Sequence, residues 1–215
     1  MSTQTPVGHV LLLGDSIFDN GAYVPGQPDV IRQLRDELPS GWQATLLAID
    51  GAVCADVPRQ LSRLPADASL LAVSAGGNDA LMVAGVLEQG ARTVGEALLS
   101  LASLQAAFAG RYHAMLDQVV ASGIPLAVCT IYDANFPAQQ GVVIRAALTL
   151  FNDVITRAAF GRGVTLIDLR LICSASADYA NPIEPSAAGG AKIARAISRL
   201  ASGTAERSDS RVLAC

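Results

Sequence analysis

The chain has 215 residues, of which 51% are hydrophobic and 16% are charged, and this core-rich balance excludes intrinsic disorder. Its formal net charge is −4 and its Lys and Arg residues form no run, which argues against a nucleic-acid partner. Residues 1–9 lack the basic and apolar regions of a secretory signal, and the longest uncharged segment in the middle of the chain, 97–110, is short for a membrane span. We therefore expect a cytoplasmic protein without a membrane span.

Short apolar runs alternate with segments of helical periodicity along the chain. The apolar runs predict five strands, at 10–13, 44–49, 70–74, 126–131 and 164–169. The intervening segments predict helices at 30–38, 57–64, 79–87, 94–122 and 142–160, and a last helix that is capped by Ser186 and reaches residue 200. The strands are almost continuously hydrophobic, which is typical of a parallel sheet covered by helices on both faces.

Length and periodicity indicate one domain, 1–201, followed by a tail, 202–215, that we expect to be flexible. The four cysteines are scattered without CxxC spacing, so we interpret them as reduced thiols; they are Cys54, Cys129, Cys173 and Cys215. No group of His, Cys and Asp residues has the spacing of metal ligands, and we expect neither a metal nor a cofactor. The oligomeric state is left open.

Polar residues stand directly after the predicted strands. Asp15 and Ser16 follow the first strand, residues 50–56 the second, Asn78 and Asp79 the third, and Asp133 and Asn135 the fourth. In a parallel sheet these loops share one edge, so their side chains can meet in one pocket. We expect a substrate to be bound there, with contributions from Asp15, Asp79, Asp133 and Asn135.

Ser16 is the candidate nucleophile of this pocket. Gly14 allows a sharp turn where the first strand leaves the sheet, and this places Ser16 at the strand's carboxyl end. A serine acts as a nucleophile only if a base and an oxyanion site converge on it. The alternative is that Asp15 or Ser16 merely caps the turn that follows.

Three blocks of the sequence resemble the SGNH (GDSL-type) hydrolase family: GDSIFDNG at 14–21, GGND at 76–79 and NPIEPSAAG at 181–189. The resemblance covers nearly the whole chain in order and spacing. It implies a three-layer α/β/α, flavodoxin-like fold with a parallel five-stranded sheet in the order 2-1-3-4-5. It also implies a serine hydrolase that cleaves a small-molecule ester or thioester through an acyl-serine intermediate.

The resemblance gives several residues a role. Ser16 matches the nucleophile, and its own backbone N–H matches one oxyanion donor. Asn78 matches the asparagine whose side-chain amide is another donor, although it could also be a helix N-cap. The family has a further block after the second strand, and residues 51–56 depart from its pattern, because Ala55 rather than glycine precedes Asp56 and Gly51 lies four residues before Ala55. We rank Ala55 above Gly51 as the further donor and interpret Cys54 as a packing residue.

The last block departs further, because the family usually has Asp-x-x-His where this chain has Asn181 and Glu184. The chain's histidines, His9 and His113, lie outside the loops of this edge and are interpreted as surface or packing residues. The double replacement keeps one negative charge, since Asn with ionised Glu replaces Asp with neutral His. Glu184 is therefore the candidate base, and we expect the Asn181 amide to donate to it and orient it.

Glutamate is a weak base, with an ordinary pKa of about 4.3 against about 6.5 for histidine, so activity should extend to lower pH unless burial raises that pKa. Two alternatives stay open. One is a binding or regulatory protein that keeps the pocket without turnover. The other is a hydrolase whose base comes from another loop, for example Asp133 or Asp178; Tyr179 could also supplement the site.

Overall fold

Five parallel strands form the central sheet in a computed structural model that describes residues 7–203. The strands lie in the order β2-β1-β3-β4-β5, and their bounds are Gly8–Gly14 for β1, Trp42–Leu46 for β2, Leu70–Ser74 for β3, Leu126–Cys129 for β4 and Thr165–Ile167 for β5. Leu12 of β1 pairs with Leu46 of β2 and with Ala72 of β3. The predicted parallel sheet and its order are confirmed.

Helices cover both faces of the sheet. They are α1 Val30–Glu37, α2 Val57–Leu61, α3 Gly77–Met82, α4 Val94–Val120, α5 Ala138–Gly161, α6 Leu169–Ile172 and α7 Ala187–Ala201. Single 3₁₀ turns occur at Gly21–Tyr23, Cys54–Asp56, Ala84–Glu88 and Ser176–Asp178. Ser186 caps α7 as expected, because its hydroxyl accepts a hydrogen bond from the N–H of Gly189 at 3.2 Å.

The core has two halves, one on each face of the sheet, because successive side chains of a strand point to opposite faces. Val10 and Leu12 of β1 pack with apolar residues of α1 and α7. Leu11 and Leu13 pack on the other face with residues of α4 and α5. All residues of β1 are buried, so the sequence of this strand carries no polar alternation.

Several boundaries differ from the sequence predictions. The second strand ends at Leu46 rather than 49, because the N–H groups of Leu47 and Ala48 both turn to the carbonyl of Leu12. The predicted helix 79–87 is divided into α3 and the 3₁₀ turn Ala84–Glu88. The helix predicted to begin at 142 begins at Ala138, directly after Pro137, a residue that suits a helix start.

The loop after α6 contains a short antiparallel hairpin that the sequence did not indicate. Its strands are β6, Tyr179–Asn181, and β7, Glu184–Pro185. Two- and three-residue strands of mixed polarity carry no hydrophobic periodicity, so no sequence pattern predicts them. This hairpin matters because it carries both Asn181 and Glu184.

The predicted tail, 202–215, lies mostly outside the described residues, so its flexibility and the division of the chain into one domain stay predictions. In the stretch 7–203, no helix combines the length and apolar character needed to cross a membrane.

Candidate active site

Ser16 stands just beyond the carboxyl end of β1, where Gly14 lets the chain turn tightly against β3. Gly14 has a φ of +115°, and a Cβ there would meet the carbonyl oxygen of Ser74 at 1.6 Å, so only glycine fits. The Gln60 side chain fixes both polar groups of Gly14: its Oε1 accepts from the Gly14 N–H at 2.6 Å and its Nε2 donates to the Gly14 carbonyl at 2.9 Å. The turn before Ser16 is therefore rigidly held.

The Ser16 hydroxyl donates a hydrogen bond to Oε1 of Glu184 at 3.0 Å. Both residues are buried, with 6% of Ser16 and 5% of Glu184 exposed. The other carboxylate oxygen, Oε2, is buried without a hydrogen-bond partner among the described residues. Burial, opposed in part by the Ser16 hydrogen bond, raises the pKa of Glu184 from its ordinary 4.5 to about 7. The serine and the carboxylate thus form the close pair expected of a nucleophile and its base.

Contacts with two other loops, the one after β4 and the one after β1, position Glu184. The N–H of Asn135 donates to the Pro182 carbonyl at 2.8 Å, and the Tyr132 hydroxyl donates to the Ile183 carbonyl. On the other side, Nδ2 of Asn20 donates to the Pro185 carbonyl at 3.1 Å. Because hydrogen bonds hold the backbone on both sides of Glu184, they fix the position of its Cα and Cβ atoms and so restrict where the carboxylate can lie.

The Asn181 side chain does not donate to Glu184, which differs from the expectation. Its Oδ1 instead accepts a hydrogen bond from the N–H of Ile183 at 2.9 Å. An asparagine before a tight turn commonly bonds to the backbone two residues on, and this local bond competes with longer-range contacts. Asn181 therefore shapes the turn that leads to Glu184.

Asp15 is buried beside this pair, with 3% of its surface exposed. One oxygen, Oδ1, accepts a hydrogen bond from the N–H of Ile17 at 3.2 Å, and the carboxyl group also interacts with the Ser74 hydroxyl. Burial, with a smaller contribution from the charge of Glu184, raises the pKa of Asp15 from 3.8 to about 7. Asp15 therefore lies beside the Ser16–Glu184 pair and lines the same cavity.

Asn78 and Ser16 both line the same cavity, so the structure brings together two of the predicted oxyanion donors. The Asn78 Nδ2 donates to the Ala52 carbonyl at 2.9 Å, and an amide nitrogen carries a second N–H. The N-cap of α3 is Gly76 rather than Asn78, so the helix-cap alternative does not apply. The other two predicted donors, Gly51 and Ala55, are exposed and do not line this cavity.

Asp79 of α3 bonds to the 3₁₀ turn Cys54–Asp56 and to α4, and it does not line the cavity. Its Oδ2 accepts from the N–H of Cys54 at 2.9 Å, and its Oδ1 accepts from Nε of Arg111 at 3.1 Å. Neither Asp79 nor the predicted substrate-binding residues Asp133 and Asn135 line the cavity. The position of Asp79 fits a role in holding the loops together.

The alternative bases were Asp133 and Asp178, and Asp133 does not line the cavity. Asp178 is buried and pairs with Nζ of Lys192 at 2.8 Å. His9 is buried at the opposite end of β1, where its ring contacts Asp67 and Thr45. His113 is exposed on α4. Of the groups considered as bases, Glu184 is the one to which the Ser16 hydroxyl donates a hydrogen bond.

The cavity above Ser16 has a volume of about 740 Å³ and is lined mainly by apolar side chains. Such a volume lies within the usual range of small-molecule sites. In the described part of the chain, no group of three or more His, Cys, Asp or Glu residues could hold a metal ion. Cys54, Cys129 and Cys173 are buried and free, and Cys215 lies outside the described residues.

Three positioning residues were missed by the sequence analysis: Gln60, Asn20 and Tyr132. Gln60 stands on the apolar face of α2 with Val57 and Leu61, and a polar residue on such a stripe is a signal of a buried hydrogen-bonding role. Asn20 belongs to the first sequence block and is fully buried. Tyr132 offered no comparable signal, because its partner is a backbone carbonyl far along the chain.

The chain is thus an α/β/α protein with a buried Ser16–Glu184 pair at the carboxyl edge of its parallel sheet, directly after the first strand. Residues 12–192 match the GDSL-like Lipase/Acylhydrolase family, so the chain belongs to this family of acyl hydrolases. A comparison with curated protein sequences found no match.

Solved structures with the same fold include three named enzymes. An extracellular lipase from Streptomyces rimosus is 18% identical, with a TM-score of 0.63 over 91% of this chain and 100% of its own. An inhibitor-bound aryl esterase from M. smegmatis is 15% identical, with a TM-score of 0.64 over 92% and 99%. A carbohydrate acetylesterase from Sinorhizobium meliloti is 15% identical, with a TM-score of 0.63 over 91% and 99%. At these identities the likeness extends to the fold alone.

Proposed function

We propose that the protein hydrolyses a small ester or thioester through an acyl-serine intermediate, with Ser16 as nucleophile and Glu184 as base. The observation that carries the proposal is the 3.0 Å hydrogen bond from the Ser16 hydroxyl to Glu184. Membership of the acylhydrolase family supports the reaction type. In this interpretation Glu184 stands at the position for which the sequence resemblance implies a histidine.

The first half-reaction forms the acyl-enzyme. The Ser16 Oγ attacks the carbonyl carbon while Glu184 takes the hydroxyl proton, and the carbonyl oxygen becomes an oxyanion. In this proposal the donors to that oxygen are the Ser16 N–H and Asn78, which lines the same cavity. The C–O or C–S bond to the leaving group then breaks, and Glu184 returns its proton to the departing alcohol or thiol. Water attacks the acyl-serine in the second half-reaction, again through Glu184, and the free acid leaves.

The raised pKa of Glu184 supports its role as a base. A general base works best when its pKa lies near the working pH, and burial brings Glu184 to about 7. Activity was expected to extend to lower pH only if burial did not raise this pKa, so with a pKa of about 7 we expect the activity to fall below about pH 7, as in a histidine enzyme. Asn181 contributes by holding the turn that carries Glu184.

A fluorophosphonate probe tests the proposal directly. We expect one covalent adduct per chain, located on Ser16 by peptide mass spectrometry, because the probe requires an activated serine. Ser103, an exposed serine of α4, serves as the internal control and should stay unmodified. A protein that is folded but takes up no label at Ser16 would support the binding-protein alternative instead.

Replacement of Asn78 by alanine should lower kcat much more than it raises KM. The lost amide would act on charge that develops in the transition state, and removal of one such donor costs about 10²–10³ in kcat. Steady-state kinetics with a simple ester measure the two constants. Asn135→Ala is the matched control, because that side chain does not line the cavity. An effect of Asn78→Ala on KM alone would assign it to substrate binding.

A further inference from the structure

The cavity above Ser16 is bounded largely by three segments and is mainly apolar. These segments are α3 with the 3₁₀ turn that follows it, the first half of α4, and the first half of α5. Its wall includes Leu81, Val86, Leu101, Leu104, Ile144 and Leu148. Most of these side chains are only half-buried, so they present apolar surface that a ligand could cover.

Charge in the cavity is confined to carboxyl groups. Asp15 and Glu184 lie beside Ser16, and Glu88 is exposed on the 3₁₀ turn. No Lys or Arg is among the described residues that line the cavity. A substrate chain with a terminal carboxylate or phosphate would find no cationic partner there and would have to bury an unpaired charge, whereas a neutral substrate chain avoids this desolvation cost.

A group of polar residues that affects Glu184 lies outside the apolar cavity. The charge of Asp50 acts on Glu184, and Asp50 accepts a hydrogen bond from the Tyr23 hydroxyl at 2.8 Å. Asp19 accepts from the Asp50 N–H at 3.0 Å. None of these three residues lines the apolar cavity. The surroundings of the Ser16–Glu184 pair therefore include an apolar side, the cavity, and an acidic side outside it, near Asp50.

We propose, on the basis of the proposed function, that the apolar cavity holds the acyl portion of the substrate and selects neutral acyl chains of medium length. The alcohol portion then lies on the acidic side, near Asp50 and Tyr23. Glu184 is between the two sides, where it can return its proton to the leaving alcohol. A short acetyl group would leave most of the apolar wall uncovered.

Chain-length dependence of kcat/KM tests the proposal. The substrates are p-nitrophenyl esters from acetate to dodecanoate, together with acetate esters of hexanol and octanol. Each methylene that enters the cavity should raise kcat/KM by about fourfold, so hexanoate should exceed acetate by on the order of 10². The acetate esters should show no such rise with alcohol length, and a hemiester of a dicarboxylic acid should be slower than the neutral ester of equal length.

Two substitutions on α4 separate the cavity from the general surface. Leu104→Trp should fill the cavity and remove most of the preference for hexanoate over acetate. Leu98→Trp is the control, because Leu98 is exposed on the same helix and does not line the cavity. Leu104→Gln, which keeps the volume and adds polarity, should also weaken the preference and covers the case in which the tryptophan variant does not fold.

The outcomes distinguish this proposal from the proposed function. An enzyme that depends on Ser16 but shows a flat or falling acyl series, or a rise only with alcohol length, would overturn the assignment of the cavity and leave the hydrolase intact. A folded protein with no activity on any ester and no label at Ser16 would overturn the hydrolase itself, and the acyl assignment with it.

Discussion

Replacement of Ser16 by alanine is expected to reduce kcat for ester hydrolysis by about 10⁴-fold or more, because no other group can form the covalent intermediate. Initial rates with p-nitrophenyl hexanoate measure the loss, and active-site titration shows whether a burst of product disappears with it. The Ser62→Ala variant is a suitable control, since that hydroxyl is exposed and bonds only locally to the Arg59 carbonyl. Undiminished turnover in Ser16→Ala would rule out Ser16 as nucleophile.

The same variant should change stability in a pH-dependent way. It removes the hydrogen bond that the Ser16 hydroxyl donates to the buried Glu184 carboxylate. A buried charged group that loses its donor is destabilised by about 1–3 kcal/mol. We therefore expect a lower melting temperature than wild type at pH 8, where Glu184 is ionised, and a much smaller difference at pH 5. Circular dichroism at both pH values provides this measurement and shows that the variant is folded.

Replacement of Glu184 by glutamine should lower kcat by about 10²–10⁴, because the amide cannot accept the Ser16 proton. The exposed Glu88→Gln variant, at the edge of the same cavity, should keep most of the activity on neutral esters. In the wild type, kcat/KM should fall as the pH drops below about 7, since protonated Glu184 is not a base. This acid limb should be absent from any residual activity of Glu184→Gln. If the base came from another loop, Glu184→Gln would keep a kcat and a pH dependence of kcat/KM close to those of the wild type.

Glu184→Gln should lower activity but raise the stability of the folded protein at high pH. The folded protein holds the Glu184 proton more tightly than the unfolded chain, with a pKa of about 7 against 4.5. The stability that this group contributes is complete below the unfolded pKa and is lost as the pH rises through the folded pKa. Glu184→Gln should therefore melt at a higher temperature than wild type at pH 8, and the difference should vanish at pH 4. An equal change in melting temperature at both pH values would contradict the assigned burial of the charge.

Asp15 complicates the acid limb, because its pKa is also raised to about 7 by burial. When two neighbouring carboxyl groups titrate together, the apparent pKa values belong to the pair. Asp15→Asn should consequently shift the acid limb of Glu184 downward, since one nearby negative charge is removed. This comparison uses the same kcat/KM profile and separates the effect of the neighbouring charge from that of the base.

Local sequence patterns were sufficient for the elements of the fold and for a parallel sheet, because they repeat along the chain. The strand order came instead from the resemblance to a known family. Five apolar runs of strand length, each followed by a helical segment, predict a covered parallel sheet. The turn residue Gly14 and the cap Ser186 are local devices as well, and the structure places both as expected. The β6–β7 hairpin was not predicted, because its two- and three-residue strands carry no hydrophobic periodicity.

The sequence by itself also determined which residue types stand at the carboxyl edge of the sheet, since chain order and strand direction fix that edge. Only the tertiary structure decided which of them meet. Ser16 and Glu184 are 168 positions apart in sequence, and their contact depends on clamps from Asn20 and Tyr132 that no local signal ties to Glu184. Asn181 was expected to contact Glu184 and instead bonds within its own turn. The pKa of Glu184 is likewise a tertiary property, because it is set chiefly by how completely the packed fold excludes water from the carboxylate.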